Sequence, residues 1–259
     1  MIFESHAHYD DKAFDIDREE LLSSMKEKGI EYIVNVSADL PSITDTMNLT
    51  TAYDFIYGAV GIHPSECEVL KEEDYLWIKG QAERDKVVAI GEIGLDYYWK
   101  EPAKELQLQW FKRQLLLAKE LNKPVIIHSR DAAEDTLKVL QSDLAKDIKG
   151  VVHCYSYTKE TAKTILNLGY YFGIGGVVTF SNAKKLVEAV EYLPLDHILL
   201  ETDSPYLAPT PYRGQRNSSL NIPLIATRIA EIKGISYEEV VETTNYNAKA
   251  LFFNQSLEA

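Results

Sequence analysis

An alternation of short apolar runs with longer helical stretches most constrains how this chain folds. The chain has 259 residues, and most of the eight runs are continuously apolar rather than alternating with polar residues. Continuous apolar strands are typical of a parallel sheet that is covered on both faces. The eight predicted strands are Ile2–Ser5, Tyr32–Val36, Phe55–Val60, Val87–Gly91, Val125–Ile127, Gly150–Val152, Tyr170–Ile174 and His197–Leu200.

Helical signals fill the intervals between these runs. Apolar residues recur at helical spacing between Ala103 and Leu121, and Asn122 is expected to end that helix. Ser181 is the predicted N-cap of a later helix, and Ser236 begins a capping-box pattern before the last helix.

Eight strand–helix units in about 250 residues predict an α/β fold, a single (β/α)8 TIM barrel that spans residues 1–259 as one domain. In such a barrel the active site lies at the carboxyl ends of the strands. The alternative is an open, doubly wound sheet. That fold usually has a glycine-rich phosphate loop after the first strand, and this sequence has no such loop there.

Composition limits the classes of protein that the chain can belong to. It is 46% hydrophobic and 26% charged, as in an ordinary globular protein and unlike a disordered one. Its 27 basic and 40 acidic residues give a formal charge of −13. An acidic surface argues against broad, non-specific binding to nucleic acid, which uses a basic face.

The compartment is predicted from cysteine content and hydropathy. Cys67 and Cys154 are too few and too far apart for a disulfide framework, so we expect a reducing environment. The first residues, MIFESHAHYD, lack the basic and apolar regions of a signal peptide. No run approaches the roughly 20 apolar residues that span a bilayer. A cytoplasmic protein is expected.

Five of the six histidines follow the predicted strands at their carboxyl ends, as do two carboxylates. Because these ends form one rim of a barrel, the side chains are expected to converge there. They are His6, His8, His63, Glu92, His128, His153 and Asp203. His197 lies at the opposite end of its strand and is predicted to be structural. His63 precedes a proline, which leaves a supporting, a substrate-contacting or a simple turn role open.

This set of residue types is typical of a metal site. His6 and His8 project from the same face of an extended strand, with Cα atoms about 6.5 Å apart, and can reach one ion. Imidazole and carboxylate ligands suit Zn, Mn, Fe, Co or Ni, and carboxylate with water can hold Mg. Six ligands exceed one tetrahedral site. We therefore expect two divalent ions, with Glu92 bridging them because its strand lies between the histidine-bearing strands.

Seven ordered motifs give the chain a family resemblance: ESHAHYD, GIHP, AIGEIGLDYY, PVIIHSRDA, VVHCYS, ETDSPYLAP and PYRGQRN. In this order and spacing they resemble the TatD family of metal-dependent deoxyribonucleases, which belongs to the amidohydrolase-like barrels. The resemblance implies that His6, His8 and Asp203 hold one metal, that His128 and His153 hold the other, and that Glu92 bridges. Ser218-Ser219 departs from the family's usual Glu-Pro, in a loop expected to help shape the substrate pocket.

A two-metal hydrolase of DNA phosphodiester bonds follows from this resemblance. Asp203 is expected to hold metal and to accept the proton of the attacking water, with Glu92 and His63 as further catalytic candidates. Glu201, on the same strand, is expected either to orient a ligand or to pair with a lysine. The predicted phosphate contacts are Arg130, Arg213 and Arg216, and the candidates for stacking on bases are Tyr97, Tyr98, Tyr155 and Tyr212.

The expected substrate is DNA, as single-stranded or frayed ends, since a barrel mouth admits an end more easily than a continuous duplex. A membrane and an obligate protein partner are not expected. A lactonase, a small phosphodiesterase or an ester deacylase with the same binuclear site is the alternative. A non-enzymatic metal-binding scaffold is the third hypothesis, and the complete ligand set argues against it.

Overall fold

The computed structural model describes residues 1–254, which form a barrel of eight parallel strands. The strands are β1 Ile2–Ala7, β2 Ile30–Val36, β3 Ile56–Val60, β4 Val87–Asp96, β5 Val125–Arg130, β6 Gly150–Val152, β7 Tyr171–Ile174 and β8 Ile198–Leu200. They pair in chain order from β1 to β8. The predicted (β/α)8 architecture is confirmed, because a doubly wound sheet would reverse the strand order at a switch point.

Helices follow the strands around the outside of the barrel. Within residues 1–254 the α-helices are α1 Arg18–Ser24, α2 Leu40–Ala52, α3 Glu72–Ala82, α4 Lys104–Leu121, α5 Ala133–Leu140, α6 Lys159–Asn167, α7 Lys184–Tyr192, α8 Ile222–Lys233 and α9 Tyr237–Phe252. None of the helices in this range is both long and apolar enough to cross a membrane.

Two of the three predicted helix boundaries are confirmed. Asn122 ends α4 in the left-handed conformation, with φ of 50°, and Ser236 caps α9 by accepting the N–H of Glu239. The prediction for Ser181 is wrong. A turn in which the Ala183 N–H donates to the Phe180 carbonyl delays the start of α7.

Strands β4 and β5 continue beyond their predicted ends. Gly94 pairs with His128, and Asp96 pairs with Arg130. Gly94 has φ of 146°, and a Cβ there would overlap the His128 carbonyl oxygen. Glycine therefore allows the two strands to approach closely where they carry Glu92 and His128.

Few backbone hydrogen bonds join β1 to the segment that follows β8. The Asp203 N–H donates to the His6 carbonyl at 3.0 Å, and the His8 N–H donates to the Ser204 carbonyl at 2.8 Å. Ala7 and Ser204 form an isolated parallel bridge there. We call this junction, between β1 with residue 8 and residues 201–205, the seam.

The last helix packs at the start of β1. The rings of Phe3 and Phe252 are stacked with centroids 5.8 Å apart, and Leu251 and Leu199 belong to the same buried cluster. Apolar packing thus fills the end of the barrel opposite the predicted site, and the polar rim is left for chemistry.

Candidate metal centre

The six predicted ligands come together at the carboxyl ends of five strands. His6 lies in β1, His8 follows β1, Glu92 lies in β4, His128 lies in β5, His153 follows β6 and Asp203 follows β8. Five of them line one cleft, and His6 is fully buried beside His8. The parallel order of the strands brings residues far apart in sequence to one rim.

Glu92 stands between two pairs of imidazoles. Its Oε1 lies 2.7 Å from His128 Nδ1 and 2.6 Å from His153 Nε2. Its Oε2 lies 3.5 Å from His6 Nε2 and 3.8 Å from His8 Nε2. Each carboxylate oxygen thus faces a different pair of ring nitrogens.

His6, His8 and Asp203 form one group of closely spaced donor atoms. The Nε2 atoms of the two histidines are 3.1 Å apart, and Asp203 Oδ1 lies 3.3 Å from His8 Nε2. His8 Nδ1 lies 2.7 Å from the Val36 carbonyl. A carbonyl only accepts, so Nδ1 carries the proton, and in the neutral ring Nε2 offers its lone pair to the cleft.

Asp96 fixes the orientation of His128, a role that our sequence predictions missed. Asp96 Oδ2 lies 3.0 Å from His128 Nε2, so Nε2 donates and Nδ1 is left facing Glu92. His128 Nδ1 is also 3.2 Å from His153 Nε2. Asp96 lies four residues after Glu92 on β4, an even spacing in a strand that could have singled it out.

His63 borders the same group of side chains. Its Nε2 lies 3.9 Å from Glu92 Oε1, and its Nδ1 accepts the N–H of Ser65 at the start of the 3-10 helix Pro64–Val69. Burial, with the nearby charge of His128, lowers the pKa of His63 to about 3. A neutral ring with an accepting Nδ1 carries its proton on Nε2, toward the cleft.

The two predicted acidic ligands are held ionised. Burial opposes the ionisation of Glu92, but the charge of His153 and hydrogen bonds with His128, His153 and His6 hold its pKa well below the usual range. Burial likewise opposes the ionisation of Asp203, and the hydrogen bond with His8 outweighs it and lowers the pKa. Both carboxylates are thus anionic acceptors near neutral pH.

Glu201 is fully buried behind His153. Its Oε1 accepts the N–H of Cys154 at 2.5 Å and lies 3.8 Å from His153 Nδ1. Gly173 makes room for this carboxylate, because a Cβ there would overlap it. Burial raises the pKa of Glu201 to about 8. No lysine forms an ion pair with Glu201 among the residues that the structure describes. Glu201 instead lies beside His153.

The arrangement fits divalent cations. Imidazole nitrogens converge in pairs 3.1–3.2 Å apart beside anionic carboxylates. Nitrogen and carboxylate oxygen together are the donors that such cations prefer. His6 Nδ1 and His153 Nδ1 are buried, and neither has a hydrogen-bond partner in the described part of the chain. These are not the nitrogens that face Glu92, so the fit to cations rests on the paired nitrogens and the two anionic carboxylates, and the unpartnered atoms show only that the polar cluster as a whole is incompletely satisfied by protein hydrogen bonds.

The cleft above these residues has a volume of about 800 Å³. Arg130 is the one basic side chain other than histidine among the described lining residues. The acidic lining residues are Asp10, Asp11, Asp39, Glu92, Asp96 and Asp203. An anionic substrate therefore meets a strongly acidic cleft unless cations balance these charges.

Aromatic side chains stand beside Arg130 at the mouth of the cleft. The Arg130 guanidinium lies 3.8 Å from the centroid of the Tyr98 ring. Tyr98 contacts Trp99 edge to face at 4.8 Å. Trp99 lines the cleft and is 57% exposed. Our sequence predictions missed Trp99, although it directly follows the two tyrosines of the GLDYYW segment.

The other two predicted arginines lie outside the cleft lining. Arg216 forms ion pairs with both carboxylate oxygens of Asp17 at 2.5–2.6 Å, and its guanidinium lies over Phe14. Arg213 lies over Phe180 at 4.4 Å. The structure thus brings only Arg130 to the predicted ligands.

The predicted stacking tyrosines have different environments. Tyr155 is buried against Phe172, so the prediction that it offers a face to a base is wrong. Tyr97 is bonded to Asp135 through its hydroxyl. Tyr212 is exposed but outside the cleft lining. Of the predicted four, Tyr98 alone stands beside a lining arginine.

Two further predictions concern His197 and the loop after Arg216. His197 is outside the cleft lining, stacked on Tyr171 and bonded to Asp196. Ser219 is buried and bonded to Glu4 and Tyr9, and neither Ser218 nor Ser219 lines the cleft. Neither serine therefore contacts the cleft, and the contribution of their loop to the substrate pocket stays a prediction.

Comparisons with known proteins agree on one family. The family model described as TatD related DNase matches residues 3–253. The uncharacterized metal-dependent hydrolase YabD of Bacillus subtilis (strain 168) is 44% identical over 252 residues, which cover 97% of this chain and 99% of that protein. The uncharacterized metal-dependent hydrolase YcfH of Escherichia coli (strain K12) is 36% identical over 256 residues, with 97% and 96% covered.

A solved structure has the same fold over almost its full length. The crystal structure of YJJV, a TatD homolog from Escherichia coli K12, superposes with a TM-score of 0.91. It is 30% identical to this chain and covers 98% of both chains. The likeness therefore includes the rim on which the predicted ligands lie.

Proposed function

Because the chain belongs to the TatD-related DNase family and is a metal-dependent hydrolase, we propose that it hydrolyses phosphodiester bonds of DNA at single-stranded or frayed ends. One observation carries this proposal. The two oxygens of Glu92 face two separate groups of imidazoles on the floor of an open cleft. Such an arrangement suits a pair of cations acting on one phosphate.

Two divalent ions are assigned to this centre, of the kinds that such ligands accept (Mg, Mn, Zn, Co or Ni). His6, His8 and Asp203 would hold the first ion. His128 and His153 would hold the second, and Glu92 would contact both. When bound, the ions supply positive charge that neutralises a phosphate and makes water a stronger nucleophile.

Asp203 is the proposed proton acceptor. Its carboxylate lines the cleft and is held ionised, while Oδ1 lies 3.3 Å from His8 Nε2. One oxygen can therefore stay in the ligand group while the other takes a proton from water. Glu92, buried between the imidazoles, serves as a ligand and not as a base.

His63 is proposed to donate a hydrogen bond to the substrate. Its Nδ1 accepts from the Ser65 backbone, so a neutral ring directs its Nε2–H toward the cleft. A neutral donor at 3.9 Å from Glu92 Oε1 can contact an oxygen of the phosphate without displacing a ligand.

Arg130 is the proposed phosphate contact inside the cleft. A guanidinium binds a phosphate through two parallel hydrogen bonds. Its position over Tyr98 orders the side chain beside the site. Arg213 and Arg216 lie outside the cleft lining, and Arg216 is paired with Asp17, so neither is proposed as a phosphate contact inside the cleft. Trp99, exposed at the mouth, is available to stack on a base.

The charge of the molecule favours a short substrate segment. A net charge of −13 and an acidic cleft disfavour broad electrostatic binding to a duplex. Local capture of one or two phosphates by cations and Arg130 is compatible with this charge. Cytoplasmic action without an obligate partner stays a prediction.

Removal and return of the metal tests the proposal. Chelated protein should lose activity on a labelled single-stranded oligonucleotide and regain it on addition of Mg, Mn, Co, Ni or Zn. Closed-circular duplex, which has no ends, should be cut far more slowly. Activity that never depends on metal would contradict the mechanism, and rapid cutting of closed circles would contradict the preference for ends.

A lactonase, small phosphodiesterase or ester deacylase that uses the same centre is the alternative. Assays of one preparation on a 3′-labelled oligonucleotide, a panel of lactones and aryl phosphodiesters would separate the two. A kcat/KM that is highest for a lactone or another small ester would favour the alternative. The highest value on the oligonucleotide supports the nuclease.

A further inference from the structure

A buried carboxylate outside the predicted ligand set crosses the seam. Glu4 lies in β1 and is fully buried. Its Oε1 accepts the N–H groups of Thr202 at 2.9 Å and His6 at 3.2 Å. Its Oε2 accepts the hydroxyls of Thr202 at 2.7 Å and Ser219 at 2.9 Å. All four contacts are donors, so the carboxylate is fully satisfied.

Two of these four donors belong to the segment that presents Asp203. Thr202 directly precedes it, and Glu4 holds both the backbone and the side chain of Thr202. Asp203 itself has φ of 57°, a left-handed conformation that a residue with a Cβ adopts only when its surroundings enforce it. Asn217 adds a further constraint, because its side-chain amide donates to the Thr202 carbonyl.

Ser219 is in turn held from the other side of the network. The hydroxyl of Tyr9 lies 2.8 Å from Ser219 Oγ and accepts the Ser219 N–H at 2.9 Å. Tyr9 is fully buried and follows His8 in the chain. The network therefore begins and ends on the segment that carries His6 and His8, passes through Ser219, and holds Thr202, next to Asp203, through Glu4.

Few backbone hydrogen bonds hold the two sides of the seam together. The regular ladder of β8 ends at Leu200, and two backbone hydrogen bonds join the segments beyond it, from Asp203 to His6 and from His8 to Ser204. The Glu4 carboxylate supplies two more hydrogen bonds across the seam, both from Thr202, and it also binds Ser219 in the loop after β8. Because Glu4 is fully buried, its loss would leave the buried donors that it satisfies without a partner, which costs free energy.

We propose that Glu4 is a positioning residue that sets the distance between the His6–His8 pair and Asp203. The inference rests on the proposed two-cation centre and deepens it. Glu4 acts only on the group formed by His6, His8 and Asp203. Strands β4 and β5 place Glu92 and His128, and Glu4 does not contact them.

Cation binding by three variants tests this inference, measured by equilibrium dialysis with Mn²⁺ and elemental analysis. Glu4→Ala removes all four contacts and should weaken one of two binding equivalents by about 10–100-fold, the usual effect of losing a partner that orients ligands. Ser219→Ala removes one contact and should give a smaller loss. Glu4→Gln keeps the two backbone N–H contacts at Oε1 and can donate to the Ser219 hydroxyl, whereas Thr202 Oγ1 already accepts twice from Ser204, so its loss of affinity should be smaller than that of Glu4→Ala.

Asn247→Ala is the matched control. Asn247 is buried in α9, and its side-chain amide donates to the Leu195 and Ile198 carbonyls. It therefore also holds β8 in place, but at the end of the strand opposite the cleft. Its replacement should lower the stability of chelated protein to urea without changing either cation affinity. The Glu4 variants are expected to weaken the binding of one of the two cations by more than any loss of stability to urea explains.

Several results would overturn the inference. Glu4→Ala or Ser219→Ala could bind both equivalents as tightly as the unaltered protein, or both equivalents could weaken equally, as in a general loss of structure. If Glu4→Ala does not fold, an unchanged affinity in Ser219→Ala is sufficient to reject it. Failure of the unaltered protein to bind any cation would instead reject the proposed function and this inference with it.

Discussion

The two sides of the candidate centre are positioned by different means. Glu92 and His128 lie within β4 and β5, and the ladder between these strands continues past them to Asp96 and Arg130. His8 and Asp203, in contrast, lie beyond the ends of β1 and β8, where few backbone hydrogen bonds remain. Sheet geometry therefore places one side, and a buried side-chain network places the other.

Replacement of the residue that belongs to both sides should have the largest effect. Glu92→Ala removes an acceptor from each imidazole pair, so we expect loss of bound cation from both sides and activity near background. Elemental analysis after dialysis and an oligonucleotide assay measure these two quantities. Two full equivalents of retained metal would contradict the bridging assignment, and Glu92→Gln controls for the loss of side-chain volume.

Asp203→Asn should affect one side only. Loss of a general base typically lowers kcat by about 10²–10⁴-fold, and the side with His128 and His153 should still bind an ion. Asp39→Asn is a control, because Asp39 also lines the cleft but caps α2 through the Ser42 N–H. An unchanged kcat in Asp203→Asn would show that the proton acceptor lies elsewhere.

The aromatic side chains at the mouth of the cleft, Tyr98 and Trp99, follow β4, the strand that carries Glu92. Stacking on a base is worth about 1–3 kcal/mol, so Trp99→Ala should raise KM for a single-stranded oligonucleotide about tenfold while leaving kcat nearly unchanged. An oligonucleotide with abasic ends should not distinguish the variant from the unaltered protein. Tyr212→Ala, exposed but outside the cleft lining, is the matched control. Equal effects on abasic and normal ends would exclude stacking.

The smallest expected effect is that of replacing Arg216, and replacement of Arg130 is the comparison. A hydrogen bond to a charged group contributes about 1.5–3 kcal/mol, so Arg130→Ala should raise KM about tenfold. Arg216 is occupied by Asp17, and exposed ion pairs contribute little. Arg216→Ala should therefore leave KM within about twofold. A larger rise for Arg216→Ala than for Arg130→Ala would place the phosphate path over the loop after β8.

Most of the architecture could be predicted from the sequence because its cause is local. Continuous apolar runs mark buried parallel strands, and polar residues directly after them mark one rim. The spacing of His6 and His8 likewise follows from strand geometry alone. Strand lengths could not be predicted as well, since the extension of β4 depends on how Gly94 fits against the His128 backbone.

Long-range side-chain partners could not be read from the sequence. Glu4 and Ser219 are 215 positions apart, and no periodicity links them. Arg216 looked available for phosphate because its partner Asp17 lies 199 positions away. Tyr155 looked like a rim aromatic, but packing against Phe172 buries it. Such pairings arise only when the barrel closes, and closure is a property of the whole chain.

The seam also has a consequence for motion. Amide hydrogens in the middle of a continuous ladder exchange with solvent only when several strands separate, whereas those at a junction with few bonds exchange through small local openings. The His8 and Asp203 amides are therefore expected to exchange faster than the Leu95 amide in β4. The molecule would then behave as a sheet with two edges held together by side chains, and widening of the cleft would begin where those edges meet.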